Sequence, residues 1–148
     1  MAEDEILIER ILKPGSAEAA GIARILPLLS TVTPPSLEEL QGITSNPWTY
    51  LYVARLAGEI VGSLTLATFH TPTGRRGWIE DVVVDEAVQG RGIASKLVHH
   101  ALDQARELDI RSVELTSRPS REAANRLYQR LGFSQRETNV YRFNFEIE

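Results

Sequence analysis

The amino-acid sequence predicts a single α+β domain that spans residues 1–148. Three observations lead to this fold class. The length suits one hydrophobic core and is short for two, and 43% of the residues are hydrophobic. Segments rich in β-branched and aromatic residues alternate with segments of helical periodicity. No repeat, low-complexity tract or linker separates them, so the domain is expected to be continuous.

The N-terminal part of the chain predicts a strand followed by two helices. Residues 5–13 have the composition of a strand, and a Pro-Gly-Ser break ends it before a helix over residues 17–29. Ser36, followed three residues later by Glu39, is a capping-box pattern. This pattern predicts a short second helix that ends near Gly42.

The middle of the chain predicts three strands. Residues 49–67 are dense in β-branched and aromatic side chains around Ala57-Gly58, which is typical of an antiparallel hairpin. A turn-rich stretch over residues 71–77 follows. Trp78–Val84 then predicts a fourth, largely buried strand.

The C-terminal part predicts a long helix, a fifth strand, a last helix and one or two final strands. The fifth strand is expected over residues 111–116, and the last helix starts at Pro119-Ser120 and stops at Gly132. Residues 133–145 supply the final strands. The long helix is predicted from apolar residues spaced by three, four or seven, at Ile93, Ala94, Leu97, Val98, Ala101, Leu102, Ala105 and Leu108.

Composition and charge exclude several classes of function. The chain has no cysteine, which excludes disulfides, thiolate metal sites and a thiol nucleophile. Its formal net charge of -4 disfavours nucleic acid as a partner. Acidic and basic residues within the first twenty positions exclude the apolar core of a signal peptide, and no apolar run has the length of a membrane span. We therefore expect a cytoplasmic protein that binds neither nucleic acid nor membrane.

Two glycines, Gly90 and Gly92, stand directly ahead of the long helix. They allow close backbone approach to an anion, and the free amides of the first helical turn point at it, so the loop suits a diphosphate. A tight strand-to-helix connection is the alternative interpretation. No Gly-Lys-Ser/Thr follows, which excludes a Walker A loop, and the missing third glycine makes a dinucleotide-binding fingerprint a poor match.

Two motifs carry a resemblance to a known family. The first is Gln89-Gly90-Arg91-Gly92-Ile93-Ala94, directly after the fourth strand, and the second is Asn125-Arg126-Leu127-Tyr128-Gln129-Arg130-Leu131-Gly132-Phe133. They resemble the Gln/Arg-x-x-Gly-x-Gly/Ala and Asn-x-x-Tyr-x-x-x-Gly-Phe elements of the GCN5-related N-acetyltransferases (GNAT family). The resemblance covers residues 49–145. It implies a predominantly antiparallel mixed sheet, flanked by helices and splayed between the fourth and fifth strands.

The resemblance implies acetyl-CoA as the acetyl donor, with no metal. The coenzyme diphosphate would lie on backbone amides of the glycine loop, and exposed backbone of the fourth strand would bind the pantetheine arm like an added strand. Arg91 either contacts phosphate or is simply solvated. The residues that the resemblance assigns to the coenzyme are Val82, Val83, Val84, Gln89, Gly90, Arg91, Gly92, Ile93, Ala94, Ser95 and Asn125.

The resemblance also implies a catalytic apparatus for N-acetyl transfer. Tyr128, on one helix face with Asn125, would protonate the departing thiolate, and packing in the core is the alternative. A backbone N–H of the fourth strand, that of Val82, would stabilise the oxyanion. Strand alternation places Glu80 and Asp81 on opposite faces. Glu80 is implied as the base and Asp81 as a substrate contact, and structural hydrogen bonds or cation binding without proton transfer are the alternatives.

The acceptor is expected to be a small-molecule or peptide amine whose identity stays open. Residues 79–84 and 137–143 are similar to glucosamine-6-phosphate N-acetyltransferases, which implies Arg142 as a contact for sugar phosphate. Polyamines, amino acids, antibiotics and protein amino groups are the alternatives. His99 and His100 are neighbours on one helix, cannot converge on a metal ion, and are predicted to lie on the surface. The family implies a possible homodimer, and a non-catalytic acyl-CoA sensor is the competing class of function.

Overall fold

The structure, a computed structural model, describes residues 5–146. The chain divides into two compact units, Met1–Thr116 and Ser117–Glu148. In the described part, the first unit holds five strands and three α-helices, and the second holds one α-helix. The elements are β1 (Ile6–Arg10), α1 (Ser16–Ile25), α2 (Leu37–Ser45), β2 (Thr49–Leu56), β3 (Glu59–Thr71), β4 (Gly74–Val84), α3 (Ile93–Glu107), β5 (Ser112–Glu114) and α4 (Glu122–Arg130).

The five strands form one sheet in the order β1-β2-β3-β4-β5. The first four are antiparallel to their neighbours, whereas β5 is parallel to β4. Ala57 and Gly58 join β2 to β3, and their φ angles of 51° and 81° suit the two-residue turn that matches strand twist. The predicted α+β class and the predicted hairpin are therefore confirmed.

β4 and β5 separate after a short paired stretch. Pairing joins Arg76–Trp78 of β4 to Ser112–Glu114 of β5. Over residues 79–84, no strand in the described part of the chain pairs with this edge of β4. An unpaired edge leaves backbone N–H and C=O groups free to bind another extended chain. The splay predicted between the fourth and fifth strands is confirmed.

Helices cover both faces of the sheet. α1 and α2 pack on one face in a core that includes Ile25 and Leu40. α3 covers the other face, where Leu97 is fully buried, and each such side chain contributes about 2 kcal/mol by leaving water. Gly62 of β3 permits the close approach of α3, because an added Cβ would lie 3.1 Å from Ile93 Cγ2. This contact positions the first turn of α3 against the sheet.

The first two elements are shorter than predicted. β1 covers Ile6–Arg10, and α1 ends at Ile25, short of the predicted end at residue 29. A 3-10 turn, Leu26–Leu28, follows and contains Pro27. Proline lacks a backbone N–H and its ring crowds the preceding helical turn, so the α-helix stops before it.

The capping box predicted for the second helix is confirmed. Glu39 N donates to Ser36 Oγ at 3.1 Å, and Ser36 N donates to Glu39 Oε1 at 3.3 Å. The helix continues to Ser45 rather than ending near Gly42. Glycine in a helix costs about 1 kcal/mol relative to alanine, which does not end a helix, and Thr44 of the last turn is buried.

β4 begins earlier than predicted, at Gly74 rather than Trp78. Gly74 pairs with Thr71, and pairing continues through residues 75–77, which the sequence assigned to a turn. The turn itself is held by Thr71 Oγ1, which accepts a hydrogen bond from Thr73 N at 3.3 Å. Glycine and arginine have no strong strand propensity of their own, so the sequence of residues 74–77 does not indicate a strand. Their strand conformation depends on pairing with β3.

The predicted final strands do not occur in the described residues. No strand is assigned to residues 133–146, although apolar and polar side chains alternate along the segment. Alternation is a local property, whereas a strand requires a hydrogen-bonded neighbour. Phe133 is half-buried, whereas four apolar side chains further along the segment are 72–87% exposed. They are Val140, Tyr141, Phe143 and Phe145.

Candidate active site

The loop between β4 and α3 passes through two glycines with left-handed backbone. Gly90 has φ 84° and Gly92 has φ 74°, and Gly92 is the N-cap of α3. No side chain caps this helix, so the amides of Ile93, Ala94 and Ser95 have no partner within it. An added Cβ at either glycine would meet open space, so backbone conformation and not crowding requires glycine. The free amides and the positive end of the helix dipole suit an anion such as a diphosphate.

An ion pair that the sequence did not predict anchors this loop to α1. Arg24 Nη1 lies 2.6 Å from Asp85 Oδ2, and Arg24 Nη2 donates to the Ile60 carbonyl at 2.6 Å. Asp85 Oδ1 accepts from Ala87 N at 3.0 Å, and Asp85 N donates to the Val61 carbonyl at 2.8 Å. Asp85, directly after β4, therefore contacts both α1 and the first residues of the loop.

The Arg24 hydrogen bond is the main cause that lowers the pKa of Asp85 below its ordinary value. Because the pKa of Asp85 is lower in the folded state, the contact with Arg24 stabilises the protein fully at pH values above the ordinary carboxyl pKa. This stabilisation is lost as the pH falls through the pKa that Asp85 has in the folded protein. No local pattern could have revealed the pair, because its partners are 61 residues apart.

The open edge of β4 leads directly to the glycine loop. Because Asp85 N donates to β3, strand alternation directs the N–H and C=O of Val84 away from β3 and towards the open edge. The Val83 side chain is buried in the α1 and α2 core, while Val82 and Val84 are half-buried. The structure thus brings the predicted backbone of residues 82–84 and the predicted loop together.

A β-bulge interrupts β4 at the two predicted acids. The register shifts between Ser63 and Thr65 of β3, where β4 contains one extra residue. Asp81 lies in this bulge with φ 53°, a left-handed conformation that is uncommon outside glycine. Glu80 and Asp81 are both exposed, so the prediction of a largely buried strand was wrong at these positions.

A wide cleft lies beside the bulge, between α2 and the sheet. It has a volume of about 620 Å³. Glu39 of α2 and Asn46, which follows the helix, line one side, and Thr49, Thr65 and Asp81 of the sheet line the other. Polar and carboxylate side chains therefore border an open space whose volume lies within the range of small-molecule sites.

Glu80 lies on the same side of the sheet as this cleft. Its register partner is Thr65, and directly opposite residues of paired strands share a face. Trp78 Nε1 donates to Glu80 Oε1 at 2.7 Å, which orients the carboxylate. The prediction that Glu80 and Asp81 point to opposite faces was wrong, because the bulge breaks the alternation and Asp81 also lines the cleft.

Tyr128 lies on α4 in the second unit. It is 8% exposed, and its ring contacts Phe133 edge to face at 5.8 Å between centroids. Burial raises the pKa of Tyr128 above its ordinary value, because it disfavours the phenolate, and the charge of Arg121 opposes this shift more weakly. Gly132, with φ 101°, follows the helix as predicted.

Asn125 has a structural role at the start of α4. Its Nδ2 donates to the Arg118 and Arg121 carbonyls, both at 2.9 Å. These bonds satisfy carbonyls of the turn that precedes the helix and hold α4 to it. Because both amide hydrogens are used, a coenzyme contact of Asn125 would have to involve Oδ1.

The other predicted site residues are exposed. Gln89 precedes the two glycines of the loop, Arg91 lies between them, and Arg142 lies within residues 133–146 of the second unit. His99 and His100 are also exposed, as predicted. Across residues 5–146, no group of three or more His, Cys, Asp or Glu side chains is arranged to hold a metal ion. In the same part of the chain, no helix has both the length and the apolar character that crossing a membrane requires.

Comparison with known proteins identifies a family and a relative of this chain. Residues 22–133 match the model of the Acetyltransferase (GNAT) family. The chain is 30% identical over 131 residues to the uncharacterized N-acetyltransferase YjgM of Escherichia coli (strain K12), a match that covers 88% of this chain and 77% of that protein.

Solved structures share the fold. One is the aminoglycoside acetyltransferase meta-AAC0020 from an uncultured soil metagenomic sample, in complex with trehalose, with a TM-score of 0.83, 22% identity and 97% of each chain covered. Another is the glucosamine-6-phosphate N-acetyltransferase of Arabidopsis thaliana, with a TM-score of 0.80 and 20% identity. That match covers 95% of this chain and 99% of the other. At these identities the likeness shows the fold alone.

Proposed function

Since this chain belongs to the GNAT family of acetyltransferases, we propose that it transfers the acetyl group of acetyl-CoA directly to a primary amine. The observation that carries this proposal is the row of free amides after Gly92, next to the unpaired edge of β4. A diphosphate and an extended pantetheine arm need these two features side by side. We further propose that the two compact units act as one domain, since the family match runs from residue 22 to residue 133.

The coenzyme is held mainly by backbone groups in this proposal. The amides of residues 89–95 bind the diphosphate, and the open edge of residues 82–84 binds the pantetheine arm. Arg91 is exposed beside the loop and supplies a charge-assisted contact to phosphate. Asn125 contributes its Oδ1, the one polar atom of its side chain that local bonds leave free.

The reaction proceeds in a ternary complex. The amine nitrogen forms a bond to the thioester carbonyl carbon, the carbon–sulfur bond breaks, and CoA leaves as the thiol. The chain has no cysteine that could carry the acetyl group between the two substrates. The N–H of Val82 stabilises the oxyanion, and Glu80 accepts the proton that the ammonium loses before attack. Tyr128 donates a proton to sulfur, and the second proton that nitrogen loses as the tetrahedral intermediate collapses passes through solvent to restore the Tyr128 hydroxyl. Asp81 is assigned to the acceptor, and Arg142 to the phosphate of an acceptor that carries one.

Two measurements test the proposal as a whole. Calorimetry should detect binding of acetyl-CoA, and a panel of primary amines should include acceptors that cause release of CoA. Absence of any affinity for CoA or acetyl-CoA would remove the assignment. Tight binding with no turnover on any acceptor would favour a sensor of acyl-CoA, the competing class of function.

Replacing Glu80 with glutamine tests its role as the base. We expect kcat/KM near neutral pH to fall by about 10²-fold, because a primary ammonium with a pKa of about 10.4 needs a proton acceptor. The deficit should shrink as the pH rises and free amine accumulates, which a pH profile of kcat/KM would record. Glu59→Gln, an exposed carboxylate at the start of β3, is the matched control. A higher KM with an unchanged pH profile would assign Glu80 to cation binding instead.

We also propose that the chain forms a homodimer through residues 138–146. Tyr141, Phe143 and Phe145 alternate with polar residues and are exposed, as on a strand that lacks its neighbour. We expect the double variant Tyr141→Asp and Phe143→Asp to sediment as a monomer, and Asn144→Asp on the other face to leave the dimer intact. A wild-type protein that sediments as a monomer at every concentration contradicts this proposal.

A further inference from the structure

The cleft between α2 and the sheet is the place where the first unit can receive an acceptor beside the open edge of β4. Asp81 contributes to the cleft, and the adjacent residue Val82 begins the backbone that we assign to the coenzyme. The acceptor and the thioester would therefore both lie next to the β-bulge of β4. The inference below rests on the proposed function, because it concerns the acceptor of that reaction.

The charges that line the cleft are all negative. Among the described residues, Glu39 and Asp81 are its ionisable lining groups, and Asn46, Thr49 and Thr65 add neutral polar atoms. Glu80 adds a third carboxylate on the same sheet face. An anionic acceptor such as a sugar phosphate would meet these charges, and the cleft lining that the structure describes in the first unit contains no cation to offset them. A cationic acceptor is attracted by all three carboxylates.

The two lining carboxylates differ in how they are held. Glu39 Oε1 accepts from Ser36 N, so the capping box fixes the side chain on the rim of the cleft. Asp81 has no hydrogen-bond or ion-pair partner within the described residues, and its carboxylate is free for a ligand. Glu39, Asp81 and Glu80 together carry more negative charge than a single ammonium group can neutralise.

We propose that the acceptor is an amine with a second cationic group, and that Glu39 and Asp81 bind this second group. The amine that reacts is directed to Glu80 and the open edge of β4, while the other cation remains in the cleft. Glu39 thereby becomes a specificity residue in addition to its role in capping α2. Linear diamines and larger polyamines fit this description, as do antibiotics with several amino groups.

The test compares acceptors that differ by one charge. Putrescine and butylamine have the same carbon chain, and cadaverine and pentylamine form a second matched pair. We expect wild-type kcat/KM to favour each diamine by about tenfold or more, since each exposed ion pair contributes up to about fivefold. The preference should shrink as salt screens the carboxylates.

The variant for this test is the double substitution Glu39→Gln and Asp81→Asn. Glutamine preserves the capping box, and asparagine tolerates the left-handed backbone at position 81, so the fold is retained. The diamine preference should fall to about twofold or less, while the dissociation constant for acetyl-CoA stays at the wild-type value. Glu38→Gln, an exposed neighbour in the same helical turn, removes one charge outside the cleft and should leave the preference intact.

Separate outcomes identify which proposal fails. Equal kcat/KM for diamines and monoamines in the wild type overturns the second-cation inference and leaves the acetyltransferase proposal standing. A preference that survives the double substitution overturns the roles of Glu39 and Asp81. Binding of acetyl-CoA without binding or acetylation of either diamine also overturns the inference. Failure to bind acetyl-CoA at all removes the proposed function, and the inference falls with it.

Discussion

Replacing Tyr128 with phenylalanine is expected to lower kcat by about 10²-fold or more, while affinity for acetyl-CoA persists. The substitution removes one hydroxyl and retains the ring that packs edge to face on Phe133. Any loss of turnover can therefore be assigned to proton donation and not to unfolding. Single-turnover measurements with saturating acetyl-CoA, together with calorimetry, separate the two effects.

The raised pKa of Tyr128 has a definite consequence for this donor role. Burial keeps the hydroxyl protonated beyond the ordinary pKa of about 10, so the acid form is present throughout the neutral range. It also makes Tyr128 a weaker acid than the departing thiol, whose ordinary pKa is about 8.5. Complete proton transfer from Tyr128 to a free thiolate would therefore be energetically unfavourable. The proton must move to sulfur while the carbon–sulfur bond is breaking.

The pH dependence of turnover follows from the same shift. Ionisation of Tyr128 abolishes its donor function, and a raised pKa moves that alkaline loss to higher pH than an exposed tyrosine would give. Tyr141→Phe, at an exposed tyrosine of the same unit, should leave kcat and its pH profile unchanged. Wild-type turnover in Tyr128→Phe would remove this residue from the mechanism.

Local patterns in the sequence predicted the elements that local forces determine. The Ser36 and Glu39 capping box, the amphipathic α3 and the turn at Ala57-Gly58 all formed as expected. Each depends on residues within a few positions of one another, where side-chain capping, helical spacing and turn conformation act directly. The glycine loop belongs to the same group, since Gly90 and Gly92 have the left-handed backbone that glycine favours.

The features that the sequence did not predict depend on distant partners. The bulge at Asp81 arises because β3 and β4 differ by one residue in their register, and no single strand contains that information. The Arg24–Asp85 pair and the cleft wall formed by Glu39 likewise join segments far apart in sequence. The sequence predicts Glu80 and Asp81 on opposite faces, because regular strand alternation contains no information about the bulge.

Replacing Gly92 with valine is the second change for which we expect a large effect. Gly92 has φ 74°, where a β-branched residue is a steric outlier and costs more than the 1–2 kcal/mol that ordinary residues lose in this region. The N-cap of α3 must therefore change conformation, and the free amides of residues 93–95 turn away from a common point. Since the proposed diphosphate contacts come from these amides, we expect affinity for acetyl-CoA to fall by about tenfold or more.

Gly58→Val separates loss of the cradle from loss of stability. Gly58 has φ 81° and also has open space around an added Cβ, but it lies in the β2–β3 turn and not in the loop before α3. Both variants should lower Tm, because both force valine into left-handed backbone. Only Gly92→Val should weaken binding of acetyl-CoA in calorimetry. Equal binding by the two variants would mean that the coenzyme does not depend on the amides at the start of α3, and the assignment of the cradle would then be wrong.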